Sequence, residues 1–92
     1  MYTIHLSKRA KADMKQLRAA KLEGKLNRLL AVIEQDPYAS NPAVEKLEPN
    51  LYARRLSQKH RLVYLVNDAL KAILVVSVWS HYDFYHGQSF DW

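Results

Sequence analysis

The chain has 92 residues, 49% of them hydrophobic and 25% charged, which is the size and composition of a single globular domain, 1–92. It holds no cysteine and only two glycines, Gly24 and Gly87, which excludes disulfide frameworks, cysteine-ligated zinc, thiol nucleophiles and glycine-rich phosphate loops. The net charge of +5 is unevenly placed: residues 1–30 carry eight Lys/Arg against Asp13 and Glu23, a net +6, while the rest carries six basic and seven acidic groups, a net −1.

Tyr2–Leu6 alternates Tyr, Ile and Leu with Thr and His, the period of a short strand. Ser7 follows as a helix N-cap. Ala10, Met14 and Leu17 then recur at helical spacing, as do Leu22, Leu26, Leu29, Leu30 and Ile33, but the two sets are out of phase. The step from Leu17 to Leu22 rotates about 140° beyond one full turn. One straight helix would place the two stripes on different faces, so two helices meeting near Ala20–Lys21 are expected. Asp36-Pro37 ends the second helix.

Tyr38–Asn50, with Pro42 and Pro49, reads as an irregular connector. Tyr52–Ser57 is a strand and Gln58-Lys59 a turn. Arg61–Val66 is apolar on both faces after its first residue, as a central strand is. Asn67–Leu70 is a turn, Lys71–Trp79 the last strand and Asp83–Trp92 a mixed tail whose order the pattern does not set. The order β-α-α-β-β-β predicts an α+β domain, a helical hairpin packed on a mainly antiparallel four-stranded sheet. The longest apolar stretch, Ala72–Trp79, is too short to span a bilayer, and Met1–Arg9 lacks the apolar core of a secretory signal. A cytoplasmic protein with no membrane contact is expected.

If Asp68-Ala69 is a two-residue hairpin loop, Arg61 lies opposite Val76; the same count across Gln58-Lys59 places Arg55 opposite Leu62. A one-residue slip would exchange the faces, but Arg55, Lys59, His60, Arg61, His81 and Tyr82 gather at one end of the sheet in either register. Cations, imidazole and phenol together suit RNA cleavage. The 2′-hydroxyl must lose a proton, the 5′-oxygen must gain one, and the phosphorus needs cations around it. The four histidines (His5, His60, His81 and His86) show no metal-ligand spacing, so neither a metal nor another cofactor is expected. Each residue also has a plainer reading. Adjacent Arg54 and Arg55 point to opposite faces of a strand, so at most one serves the site. His60 would finish a turn, Trp79 and Tyr82 would cap a core, and Glu45 would be a surface charge. The basic first third suits a polyanion-binding surface and equally a solvated helix face.

The segments Asn41–Leu47, Tyr52-Ala53-Arg54-Arg55-Leu56, His60-Arg61-Leu62-Val63-Tyr64 and Trp79-Ser80-His81-Tyr82 together resemble the YoeB/Txe branch of the RelE-type bacterial toxins. The resemblance implies a toxin of a type II toxin–antitoxin system, a ribosome-dependent endoribonuclease that cuts messenger RNA in the A site. Its partners would be the ribosome, the message and a YefM/Phd-like antitoxin, with a homodimer as a further association. It implies Glu45 as general base, Arg61 and Arg55 on the scissile phosphate, His81 as general acid and Tyr82 completing the site. Lys59 and His60, from their place in the strand-end cluster, and Trp79, from its ring, are expected beside the RNA. Other readings on the same fold are a ParE-like gyrase inhibitor and a non-catalytic RNA- or ribosome-binding module. This chain departs from the pattern in three ways. It is short between Leu47 and Tyr52, it has Glu48 where one branch has a lysine, and it runs ten residues past Tyr82.

Overall fold

Ser7 turns the chain from strand into helix. In the computed structural model, which describes residues 1–41, 43–58 and 60–78, its hydroxyl accepts the Ala10 amide at 3.0 Å and donates to the Val76 carbonyl at 2.7 Å. It thus caps α1 (Lys8–Ala19) and ties it to the sheet. The break in hydrophobic phase becomes a helical hairpin. Lys21, at φ 60°, reverses the chain into α2 (Glu23–Gln35). Arg18 and Glu23 bridge the reversal at 2.7 Å, an exposed pair worth less than about 1 kcal/mol.

The strands are β1 (Thr3–Leu6), β2 (Val44–Glu48), β3 (Leu51–Arg55), β4 (Arg61–Asn67) and β5 (Ala72–Ser77). They form one sheet in the order β1-β5-β4-β3-β2, with β1 parallel to β5 and every other pair antiparallel. The α+β class and the helical hairpin are as expected, but the sheet has five strands rather than four. The additional strand is β2, inside the stretch read as a connector. Among the described residues it pairs only with β3, and it carries a bulge between Lys46 and Glu48; an exposed, charged, bulged edge hides its own alternation. The short segment before Tyr52 is a tight hairpin. Glu48 pairs with Leu51 across Pro49-Asn50, and Asn50 sits at φ 68°. Proline followed by a left-handed Asn is the combination a type II turn requires.

The observed registers correct the expected ones. Arg55 pairs with Arg61, not with Leu62, because the Leu56 and Ser57 amides both bond to the His60 carbonyl (2.8 and 3.2 Å) and set the turn one residue differently. Asn67 pairs with Ala72 across a four-residue turn, with Lys71 at φ 52°. A shift between Val63 and Tyr64 then sets Val63 opposite Ser77, so Arg61 does not face Val76.

Apolar side chains divide between the two faces. Ala10, Leu17, Leu26, Leu29 and Ile33 of the helices pack on Leu56, Leu62, Tyr64, Val66, Ile73 and Val75. Each large buried side chain there contributes about 1.5–3 kcal/mol. On the other face Leu51, Ala53, Val63, Leu65 and Val76 form a second cluster with Leu47 and Leu74, to which no described helix contributes. The candidate site lies on this second face.

Candidate active site

Strand parity and register decide which side chains can meet. Glu45 is directly opposite Ala53, Ala53 is opposite Val63, and Arg55 is opposite Arg61. Residues paired across strands, or two apart along one, share a face, so Glu45, Arg55 and Arg61 belong to the same face as the second apolar cluster. Arg55 is the diagonal neighbour of Glu45, a separation of roughly 7–8 Å that long side chains close. Ala53, buried, sets a small, apolar floor between the charged groups.

The result is a cavity of about 200 Å³ lined by Ala43, Val44, Glu45, Ala53, Arg55 and Arg61. It is smaller than the roughly 300–1,000 Å³ of sites that enclose whole small-molecule ligands, and its size suits one phosphodiester group. A carboxylate and two guanidiniums give it a proton acceptor and fixed positive charge. Arg55 is exposed, and its Nη1 reaches the Gln58 carbonyl at only 3.4 Å, a bond too long to hold the side chain against a phosphate.

Arg54 resolves the question left by the adjacent pair. It points to the helical side and is 1% exposed, donating to the Tyr64 hydroxyl at 2.9 Å and to the Pro37 and Ala39 carbonyls at 3.2 and 2.7 Å. The Tyr64 hydroxyl donates in turn to the Pro37 carbonyl at 2.7 Å. Arg54 therefore anchors the segment leading into β2, while Arg55 faces the cavity. His60 closes the β3–β4 turn through its backbone, its amide donating to Ser57 Oγ at 3.2 Å, and it does not line the cavity. Lys59, Trp79, His81 and Tyr82, with the tail 83–92, lie outside the described residues. Among the described residues no group of three His, Asp or Glu is placed to hold a metal ion.

Two features escaped the sequence. A wider cavity of about 480 Å³ adjoins the first, lined by Lys25, Arg28, Leu29 and Val32 of α2 with Ala43 and Arg55. The spacing of 25, 28, 29 and 32 marks one helical stripe, but nothing local ties it to Arg55. Asp13, the only acid of α1, is 3% exposed and accepts from Ser77 Oγ at 3.1 Å and the Val78 amide at 3.3 Å. It pins the end of β5, from which the chain continues to Trp79.

At the far end of β4, about 20 Å away at strand rise, Asp68 accepts hydrogen bonds from Tyr2 (2.7 Å) and Tyr38 (2.8 and 2.9 Å). These bonds, that from Tyr2 foremost, hold its carboxyl below the usual range. The Tyr2 phenol is raised chiefly by the same bond, and that of Tyr38 chiefly by burial. This cluster is remote from the cavity and structural in character.

The family model describing the YoeB-like toxin of the bacterial type II toxin–antitoxin system matches residues 8–82. The Toxin YoeB of a Synechocystis species is 35% identical over 65 residues, 67% of this chain and 73% of that protein. The YoeB of the heterotetrameric YoeB–YefM complex from Staphylococcus aureus superposes with a TM-score of 0.72 at 32% identity, over 89% of this chain and 99% of that one. The isolated Escherichia coli RelE toxin gives 0.67 at 27% identity, over 87% and 84%. The family model matches a region that takes in both helices, the strands β2 to β5 and the cavity's three charged residues, and on the strength of that match and of these relatives the chain belongs to the YoeB-like toxins of bacterial type II toxin–antitoxin systems, within the RelE-type superfamily.

Proposed function

We propose that this toxin is a ribosome-dependent endoribonuclease that cuts messenger RNA in the A site. The observation that carries the reading is the convergence of Glu45, Arg55 and Arg61 on one phosphate-sized cavity. Glu45 takes the proton of a 2′-hydroxyl. The resulting oxygen attacks the adjacent phosphorus, forming the 2′-O–P bond while the P–O5′ bond breaks. Arg55 and Arg61 stabilise the charge that builds on the phosphoryl oxygens. His81 donates a proton to the departing 5′-oxygen and Tyr82 completes the site. The products are a 2′,3′-cyclic phosphate and a 5′-hydroxyl. A carboxylate, an imidazole and two guanidiniums supply every proton transfer and all the charge stabilisation, so the scheme calls for no metal or cofactor.

Lys59 and Trp79 supply RNA contacts beside the reacting nucleotide, a cation for the backbone and a ring for a base; His60 acts through the turn. The regulatory partner is an antitoxin of the YefM/Phd type, and the toxin works in the cytoplasm. No described helix is long and apolar enough to cross a membrane.

The test is single-turnover cleavage of ribosome-bound message, with mapping of the new 5′ ends. Glu45→Gln and His81→Ala should each slow cleavage by about 10²-fold or more while remaining folded. Wild-type rates in both overturn the assigned roles. No cleavage by the wild type, together with inhibition of gyrase supercoiling, replaces the nuclease reading with a ParE-like one.

A further inference from the structure

The α2 groove and the site cavity have a common wall. Ala43 and Arg55 line both, so a ligand passing from one to the other keeps the same guanidinium beside it. Three of the groove's six described lining residues are cations (Lys25, Arg28 and Arg55), three are aliphatic (Leu29, Val32 and Ala43), and none is acidic. The stripe from residue 25 to 32 runs about 10 Å along the helix. At about 480 Å³ the groove falls within the range that encloses a small organic ligand, whereas the 200 Å³ cavity falls below it.

We propose that this groove is a second nucleotide subsite for the RNA strand. The nucleotide adjoining the cleaved linkage lays its base against Leu29, Val32 and Ala43, and Lys25 and Arg28 hold its phosphate. The proposal rests on the nuclease reading and extends it. A phosphodiester held by Arg55 and Arg61 belongs to a chain, and that chain must leave the small cavity on at least one side. The groove is a continuous, cation-rimmed exit. Single-strand binding sites combine such a positive track with a surface for the base face. Here the surface is aliphatic rather than aromatic, so it accepts any base with little discrimination. Lys25 and Arg28 are exposed and form no part of the core, so their charge is available to a ligand at little conformational cost to the fold.

The experiment uses the full chain carrying Lys25→Ala and Arg28→Ala together, with programmed ribosomes. Messages are unmodified or carry one uncharged methylphosphonate linkage on the 5′ or the 3′ side of the cleaved bond. The double variant should keep its maximal single-turnover rate within about threefold and raise the half-saturating toxin concentration tenfold or more. The slope of log affinity against log salt should fall by about 0.7, one single-strand phosphate's worth. One of the two methylphosphonates should weaken the wild type to a similar degree and add nothing to the double variant, the signature of a shared contact.

A double variant with wild-type half-saturation and salt slope overturns the proposal. So does a weakened variant that still responds fully to both methylphosphonates, which assigns the cations to ribosomal RNA. Unchanged cleavage with loss of binding to an acidic antitoxin peptide assigns the groove to a protein partner and overturns it too. Glu45→Gln separates the two readings. If it abolishes cleavage while the double variant is wild type, only the subsite fails; if it cleaves normally, the nuclease scheme itself has failed.

Discussion

Arg55 and Arg61 stand directly opposite one another across the β3–β4 ladder, on the face away from the helices. Like charges at paired positions oppose folding by a few tenths to about 1 kcal/mol, and Arg55's hydrogen bond to Gln58 is too long to offset that. Arg55→Gln should therefore leave the urea midpoint unchanged or raise it, and should lower the rate of message cleavage by about 10²-fold or more. A fall in stability of several kcal/mol would mean that the guanidinium holds the fold instead.

Asp13 makes a different kind of prediction, because it is buried. Its carboxylate is the acceptor for both Ser77 Oγ and the Val78 amide, while Ser7 bonds the Val75 and Val76 carbonyls just before them. Asp13→Ala removes the shared acceptor of two buried donors, at about 1–3 kcal/mol each, and should cost about 3 kcal/mol in urea unfolding. Asp13→Asn keeps an oxygen acceptor and should cost less than about 1 kcal/mol. If the two variants unfold alike, the hydrogen bonds are not what Asp13 contributes.

The parts of the fold that were legible are those in which one local rule acts alone. The phase break between Leu17 and Leu22 placed the helical reversal, and Ser7 announced itself as a cap. β2 was not legible, because Pro42 and Pro49 frame it and the bulge after Lys46 interrupts its alternation. The Arg54/Arg55 ambiguity turned on a single residue of register, set by two amides meeting the His60 carbonyl. No local pattern distinguishes Glu45 from Glu48 as a base. It was singled out only through family resemblance, and its diagonal relation to Arg55 depends on a strand that the periodicity concealed. The Lys25–Arg28 groove depends on packing between α2 and the end of β3, a long-range contact that spacing along the chain does not encode.

Arg54 and Tyr64 should behave as one unit. Both hold the Pro37 carbonyl, and each bonds the other. Arg54→Ala removes a buried cation and leaves the Pro37 and Ala39 carbonyls without that donor, which should cost about 3–5 kcal/mol. Tyr64→Phe loses one donor and one acceptor, at about 1–2 kcal/mol. In the double variant the losses should fall short of additive by at least about 0.5 kcal/mol. Simple additivity in a urea-denaturation cycle would show that the two side chains act independently. The Ala39 carbonyl is five residues before Val44, so the same variants should disturb the entry to β2 and reduce cleavage beyond their effect on the folded fraction.

The Asp68 cluster makes a prediction about pH. Tyr2 and Tyr38 hold the Asp68 carboxyl below its unfolded range, so its contribution is complete above the unfolded value of about 4 and is lost as the pH falls through the lower folded value. The Tyr2 and Tyr38 phenols are raised instead. Their contribution is complete below about pH 10, the unfolded value, and is lost as the pH climbs towards the folded ones. The contribution of these three groups should therefore hold a plateau between about pH 4 and pH 10. Lys71 Nζ, 5.1 Å from the centre of the Tyr2 ring, adds a second attraction for the Asp68 charge over that range. In Asp68→Asn the plateau should be lower, and the difference between wild type and variant should shrink as the pH falls below about 4. Urea midpoints measured at half-unit intervals of pH give that difference directly. A gap that stays constant down to pH 2 would show that the two phenols do not depend on the Asp68 charge.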